Sequence, residues 1–139
     1  MIACGTLTIQ SATTAIDDAR RWARGHLEPA GASEDAIWAV EMALTEALAN
    51  VIEHGYGGDE SQAIELSLEL HDDRVELLIV DFGKPFDPAA YRPPDLDAAQ
   101  SGGYGVHLIA ELMDEVERTQ PDGRGTHLRL VKRRWREAK

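Results

Sequence analysis

Residues 63–82 read "AIELSLELHDDRVELLIVDF", and this stretch decides the fold class. Apolar and polar residues alternate from Ala63 to Leu70, and an apolar-rich alternation resumes at Arg74 and runs to Phe82. A period of two marks strands with one buried face, and the short "HDD" between the runs makes them a hairpin. Upstream, "GTLTIQ" alternates in the same way and reads as a first strand. Residues 13–27 then place Ala15, Ile16, Ala19, Trp22, Ala23 and Leu27 at helical spacing, and Pro29 and Gly31 end that helix. Ser33 is a candidate N-cap, with Glu34 and Asp35 in the first turn where the helix dipole favours them. The helix it opens is expected to run to about His54 and stop at Gly55. Downstream, residues 84–104 are rich in Pro, Asp, Ala and Gly and lack periodicity, the mark of a functional or disordered loop. Residues 105–113 read as a short helix. "DEVERTQ", the turn "PDGRG" and the strand "THLRLVKR" follow. The expected architecture is α+β: one domain over residues 1–139, a two-layer sandwich with helices on one face of a mostly antiparallel mixed sheet.

Composition narrows the function. The 139 residues are 43% hydrophobic and 28% charged, ordinary for a globular domain large enough to bury a core. No apolar run approaches the roughly 20 residues needed to span a bilayer, and no basic-then-apolar leader opens the chain, so neither a membrane span nor a signal peptide is expected. The lone Cys4 suits a reducing cytoplasm. A net charge of −11 argues against nucleic acid, whose phosphates require Lys and Arg. The basic end "KRRWREAK" reads as a solvated tail. Any phosphate site on so acidic a body has to rely on Mg²⁺ and backbone N–H groups.

Two features carry candidate chemistry. Along 34–54, Ile37, Val40, Leu44, Leu48 and Val51 share one apolar face, while Glu46, Asn50 and His54 form a polar row on another. Ala39, Ala43 and Ala47 flank that row and leave room for a close approach. A carboxylate and an amide at i and i+4 supply the oxygen donors that Mg²⁺ prefers, and the carboxylate can serve as a general base. A solvated outer face accounts for the same residues on this helix alone. Further on, "SGGYGVHLI" sets Gly102, Gly103 and Gly105 before a helix, where backbone N–H groups can wrap an anion, although such a turn is as often a linker. The triplet Asp81-Phe82-Gly83 matches the D-F-G of protein kinases, but the G-x-G-x-x-G loop, the V-A-I-K lysine and the H-R-D loop of those enzymes are absent. Cys4, His71, His107 and His127 are scattered without metal-ligand spacing, so no zinc site is expected.

Taken together, "EMALTEALANVIEHGYG", "VDFGKPFDP", "GGYGVHLIAELMDEVE" and "GRGTHLRLVK", in this order, resemble the GHKL ATPase superfamily. They are closest to its anti-sigma-factor serine kinases, the RsbW-like partner-switching group. The resemblance covers nearly the whole chain and implies the Bergerat ATP-binding fold, with ATP or ADP and Mg²⁺ as ligands. It implies that Glu46 is the general base, that Asn50 coordinates Mg²⁺ and that His54 lies near the nucleotide. Asp81 would accept from the adenine amino group, with Gly83 turning the chain beneath the base. Gly103, Gly105 and the adjoining Val106 would serve the phosphates from a lid, and Thr126, after Gly125, would close the adenine side. On this reading the D-F-G match is accidental. The substrate would be a serine or threonine of a small STAS-domain antagonist, and the output partner a sigma factor or another regulator. The group commonly dimerises, so a homodimer is implied. One departure stands out: Ser101 occupies a position where some of these kinases carry an arginine. It leaves room for a second class of function, a non-catalytic ATP-responsive module that sequesters a regulator. A sensor histidine kinase would need an upstream histidine-bearing helix, which this chain lacks.

Overall fold

A computed structural model describes residues 1–84, 108–121 and 125–137. The expected glycine positions Gly103 and Gly105, with Val106 and Ser101, lie outside the described residues. Five strands form one sheet: β1 (Ala3–Gln10), β2 (Ala63–Leu70), β3 (Arg74–Asp81), β4 (Glu115–Thr119) and β5 (Thr126–Arg133). Their spatial order is β1-β2-β3-β5-β4, and all four pairings are antiparallel. The expected hairpin is β2–β3, in register from Leu70↔Val75 to Ile64↔Asp81. β3 is therefore the central strand, and its last residue, Asp81, has Ile64 on one side and Thr126 on the other.

The period-two pattern sorts the two faces. Val75, Leu77 and Ile79 of β3 and Leu128 and Leu130 of β5 are buried in the same core as Ile64, Leu66, Leu68 and Leu70 of β2. Among the described residues, helices α1 (Ala15–Leu27) and α2 (Glu34–Asn50) cover that face, and Ile109 of a helical segment at 108–112 joins the same core. Helix α1 buries Ala19, Ala23 and Leu27, and the small alanines let it lie close to its neighbours. Ser33 caps α2 as expected, its Oγ accepting from Ala36 N–H at 3.1 Å, a contribution of about 1 kcal/mol. Arg24 of α1 joins the two helices by donating to Glu41 of α2 at 2.7 Å.

Two expectations need correction. Helix α2 does not continue regularly to His54. It passes at Val51 into a π-helical turn, Val51–Gly55, closed by Tyr56 N–H donating to Val51 O at 2.9 Å. The basic end is not a solvated tail either. Trp135 is 1% exposed, its Nε1 donates to His71 O at 2.9 Å, and Ser33 N–H donates to Trp135 O at 2.8 Å. Arg136 forms a β-bridge with Ala32, so the segment locks onto the start of α2. Residues 114–120, which carry no clear pattern, supply the edge strand β4, and a helical segment at 108–112 precedes it. No helix among the described residues is long and apolar enough to cross a membrane.

Candidate functional site

The alternation that builds β3 ends on a polar residue. Val75, Leu77 and Ile79 point into the core, and Asp81 takes the next core-facing position with only 6% of its surface exposed. Its Oδ1 accepts from Gly83 N–H at 3.0 Å, an Asp side chain bonding the backbone two residues on. Burial pushes the Asp81 carboxyl above the ordinary carboxylate value, against the opposing pull of the Gly83 bond and of the nearby His127. A carboxylate held in this way is under-compensated, and it gains from a hydrogen-bond donor delivered by a ligand.

The end of α2 arrives at the same place. An added Cβ on Gly55, at the close of the π-turn, would lie 3.6 Å from Asp81 Oδ1. Lys84 N–H donates to Gly55 O at 2.7 Å, so the bend after β3 rests on the π-turn. A side chain at Gly83 would collide with Gly55 O, which explains why this position is glycine. Gly125, at φ +64°, has the same constraint against Asp81 O, and its N–H donates to Gly83 O at 2.9 Å. Thr126, the next residue, is buried and paired with Asp81. Asp81, Gly83 and Thr126, forty-five residues apart at their extremes in sequence, thus form one packed unit with the π-turn.

Glu46 and Asn50 are both half-buried on α2, between the buried Ala43 and Ala47 and the exposed Glu53. Asn50, at the junction of α2 and the π-turn, makes no side-chain cap hydrogen bond. His54 is exposed and lies 3.9 Å from Glu53, and the π-turn takes it off the regular α-helical row. The oxygen donors Glu46 and Asn50 suit a hard cation such as Mg²⁺. A residue overlooked in the sequence is Tyr56: its hydroxyl donates to Ala63 O at 2.6 Å and accepts from Phe82 N–H at 2.7 Å. The only signal for it was its place in the "EHGYG" end of the helix motif.

One histidine is not scattered. His71 Nε2 lies 3.1 Å from Glu69 Oε1 and 3.5 Å from Glu76 Oε2, on the sheet face away from the helices. Burial alone would raise the Glu76 carboxyl, but the Arg129 hydrogen bond and charge, with Arg74 and His71, hold it below its ordinary value. With two arginines already neutralising Glu76, the cluster is an ion-pair network.

A family model described as the histidine kinase-like ATPase domain matches residues 9–132. A serine-protein kinase RsbW of Halalkalibacterium halodurans is 37% identical over 101 residues, 67% of this chain and 61% of that protein. One from Staphylococcus epidermidis is also 37% identical over 101 residues, covering 66% and 64%. One from Bacillus subtilis is 31% identical over 94 residues, covering 62% and 59%. The matches span about six tenths of the length of these curated relatives. Among solved structures, that of the RsbU and RsbW domains of Rv1364c from Mycobacterium tuberculosis superposes with a TM-score of 0.73 at 23% identity. It covers 99% of this chain and 34% of the other, a likeness of fold.

Proposed function

Because the chain belongs to the histidine kinase-like ATPase domain family, we propose that it is an ATP-dependent protein serine/threonine kinase acting as an anti-sigma factor in partner switching. The observation that carries this is the packing of the π-turn, which continues α2 beyond its Glu46–Asn50 pair, against the buried Asp81 at the end of the central strand. One end of the site offers a carboxylate for a base amine, and the other offers a base and a metal-binding amide. The relatives named serine-protein kinase RsbW support the same activity.

Asp81 accepts a hydrogen bond from the adenine amino group, over the floor made by Gly83 and closed by Thr126. Glu46 takes the proton of the substrate hydroxyl as its oxygen attacks the γ-phosphorus, and ADP leaves with the β–γ bridging oxygen. Asn50 would hold Mg²⁺, which would offset the negative charge of the phosphates. Gly103, Gly105 and Val106 supply phosphate contacts, and His54 lies at the nucleotide's edge. The substrate is a serine or threonine on a STAS-domain antagonist, and a sigma factor or similar regulator is the sequestered output. The protein acts in the cytoplasm as a homodimer.

The test is phosphoryl transfer to such an antagonist, with ATP binding measured in parallel. Glu46→Gln keeps shape and hydrogen bonding but cannot take the proton. Transfer should therefore fall about 10²–10⁴-fold while ATP affinity holds near wild type. Asn50→Ala should lower both. Ser101, in place of an arginine, favours one other reading, the passive ATP-responsive module. Wild-type protein that binds its partner under ATP control without phosphorylating it would select that reading.

A further inference from the structure

Three consecutive amides follow Asp81, and each has a partner drawn from a different place. Gly83 N–H goes to Asp81 Oδ1 at 3.0 Å, and Lys84 N–H to Gly55 O at 2.7 Å. Phe82 N–H goes to the Tyr56 hydroxyl at 2.7 Å, and that hydroxyl passes its own proton to Ala63 O at 2.6 Å. The half-buried Tyr56 ring packs against the core, while Tyr56 N–H closes the π-turn on Val51 O. One side chain therefore ties together the end of the π-turn, the start of β2 and the first residue beyond β3.

We propose that Tyr56 is a positioning residue for base recognition: its hydroxyl fixes the Phe82 amide, and through it the orientation in which the Asp81 carboxylate reads the nucleotide base. This rests on the reading of Asp81 as the adenine acceptor. The bond lies at an exposed residue, where water competes for the N–H. The Tyr56 bond therefore supplies direction rather than mere satisfaction. A carboxylate has about four acceptor sites, and the Gly83 bond to Oδ1 uses one and orients the others. That bond is only as fixed as the two peptides between Asp81 and Gly83, the first of which carries the Phe82 N–H that the Tyr56 hydroxyl holds. A phenol is protonated at neutral pH, and burial, the largest influence here, raises the Tyr56 hydroxyl further, so it can accept from Phe82 and donate to Ala63 together. Such a relay polarises both bonds in the same sense.

The readout is the ratio of ATP to GTP affinity, since the two nucleotides share sugar and phosphates and differ only at the base. A purely structural tyrosine would lower thermal stability and weaken both nucleotides alike. Tyr56→Phe keeps the ring and removes the hydroxyl. Its ATP-over-GTP ratio should fall by roughly tenfold, the scale of one well-placed hydrogen bond. Phe82→Pro removes the donor instead of the acceptor, after a strand residue that tolerates a following proline, and should shift the ratio in the same direction if Tyr56→Phe does not fold. Asp81→Asn is measured alongside by calorimetry. Should Asp81→Asn move the ratio while the folded Tyr56 and Phe82 variants leave it unchanged, the positioning role is overturned and the adenine reading stands. Should Asp81→Asn leave the ratio unchanged, the adenine reading fails, and the role of Tyr56 fails with it.

Discussion

At the scale of single residues, the role proposed for Asp81 runs against stability. Its carboxyl is raised in the folded protein, chiefly by burial, above the ordinary value of 3.8. The folded state then holds the proton more tightly than the unfolded chain. Stability from this residue is fully present below 3.8 and is lost as pH rises through the folded value. Asp81→Asn never ionises and escapes that loss. The nucleotide-free variant should therefore gain on wild type as pH climbs through the window, while binding ATP less well. Urea unfolding of both proteins at stepped pH gives the difference directly, and a variant that loses stability relative to wild type as pH rises would contradict this account. Glu46 and Asn50 sit in a different setting. They are half-buried on the exposed side of a helix whose opposite side is fully packed, so substitution there should cost chemistry rather than fold.

Among the elements, the chain after β5 has the largest effect on stability that a local reading overlooks. Five of the residues from Lys132 to Lys139 are basic, and the composition alone reads as a solvated tail. Trp135 reverses that reading, because its ring is buried and its Nε1 is bonded to the β2–β3 turn at His71 O. Trp135→Ala should cost about 3–5 kcal/mol through the cavity it opens. Trp135→Phe keeps much of the volume but strands His71 O, and about 1–2 kcal/mol is expected. Equilibrium denaturation measures both, and an alanine variant as stable as wild type would return the segment to the solvent. The π-turn is the second such element. Its wider coil brings Gly55 O to the Lys84 amide and Tyr56 to Phe82, contacts that a regular α-helix through His54 would aim elsewhere.

For the molecule as a whole, the net charge of −11 opposes the approach of a polyanion. Ionic strength screens that field within about a Debye length, which is about 10 Å at 0.1 M. Association of ATP should accordingly quicken as salt is added from low ionic strength, the reverse of a site steered by basic residues. Stopped-flow binding across a salt series reads the slope. A rate that falls with salt would mean that the local field of the site outweighs the global one.

The sequence by itself determined the hairpin, both helices and the N-cap at Ser33, because each depends on local periodicity or on one side chain bonding its own backbone. It also placed Glu46, Asn50, Asp81, Gly83 and Thr126 as candidates, since the motifs containing them stand in a recognisable order. Only the tertiary structure decided that Asp81 is buried, that Gly83 and Gly125 are glycines because neighbouring carbonyl oxygens fill the space of a side chain, and that Tyr56 clamps the bend. It also decided that His71 lies between two glutamates and that Trp135 is a core residue. The division has one physical cause. Periodicity reports which face of an element is apolar, whereas the partner of a polar group is set by chain segments far away in sequence, and nothing local to Tyr56 or Trp135 encodes where Phe82 or His71 will be.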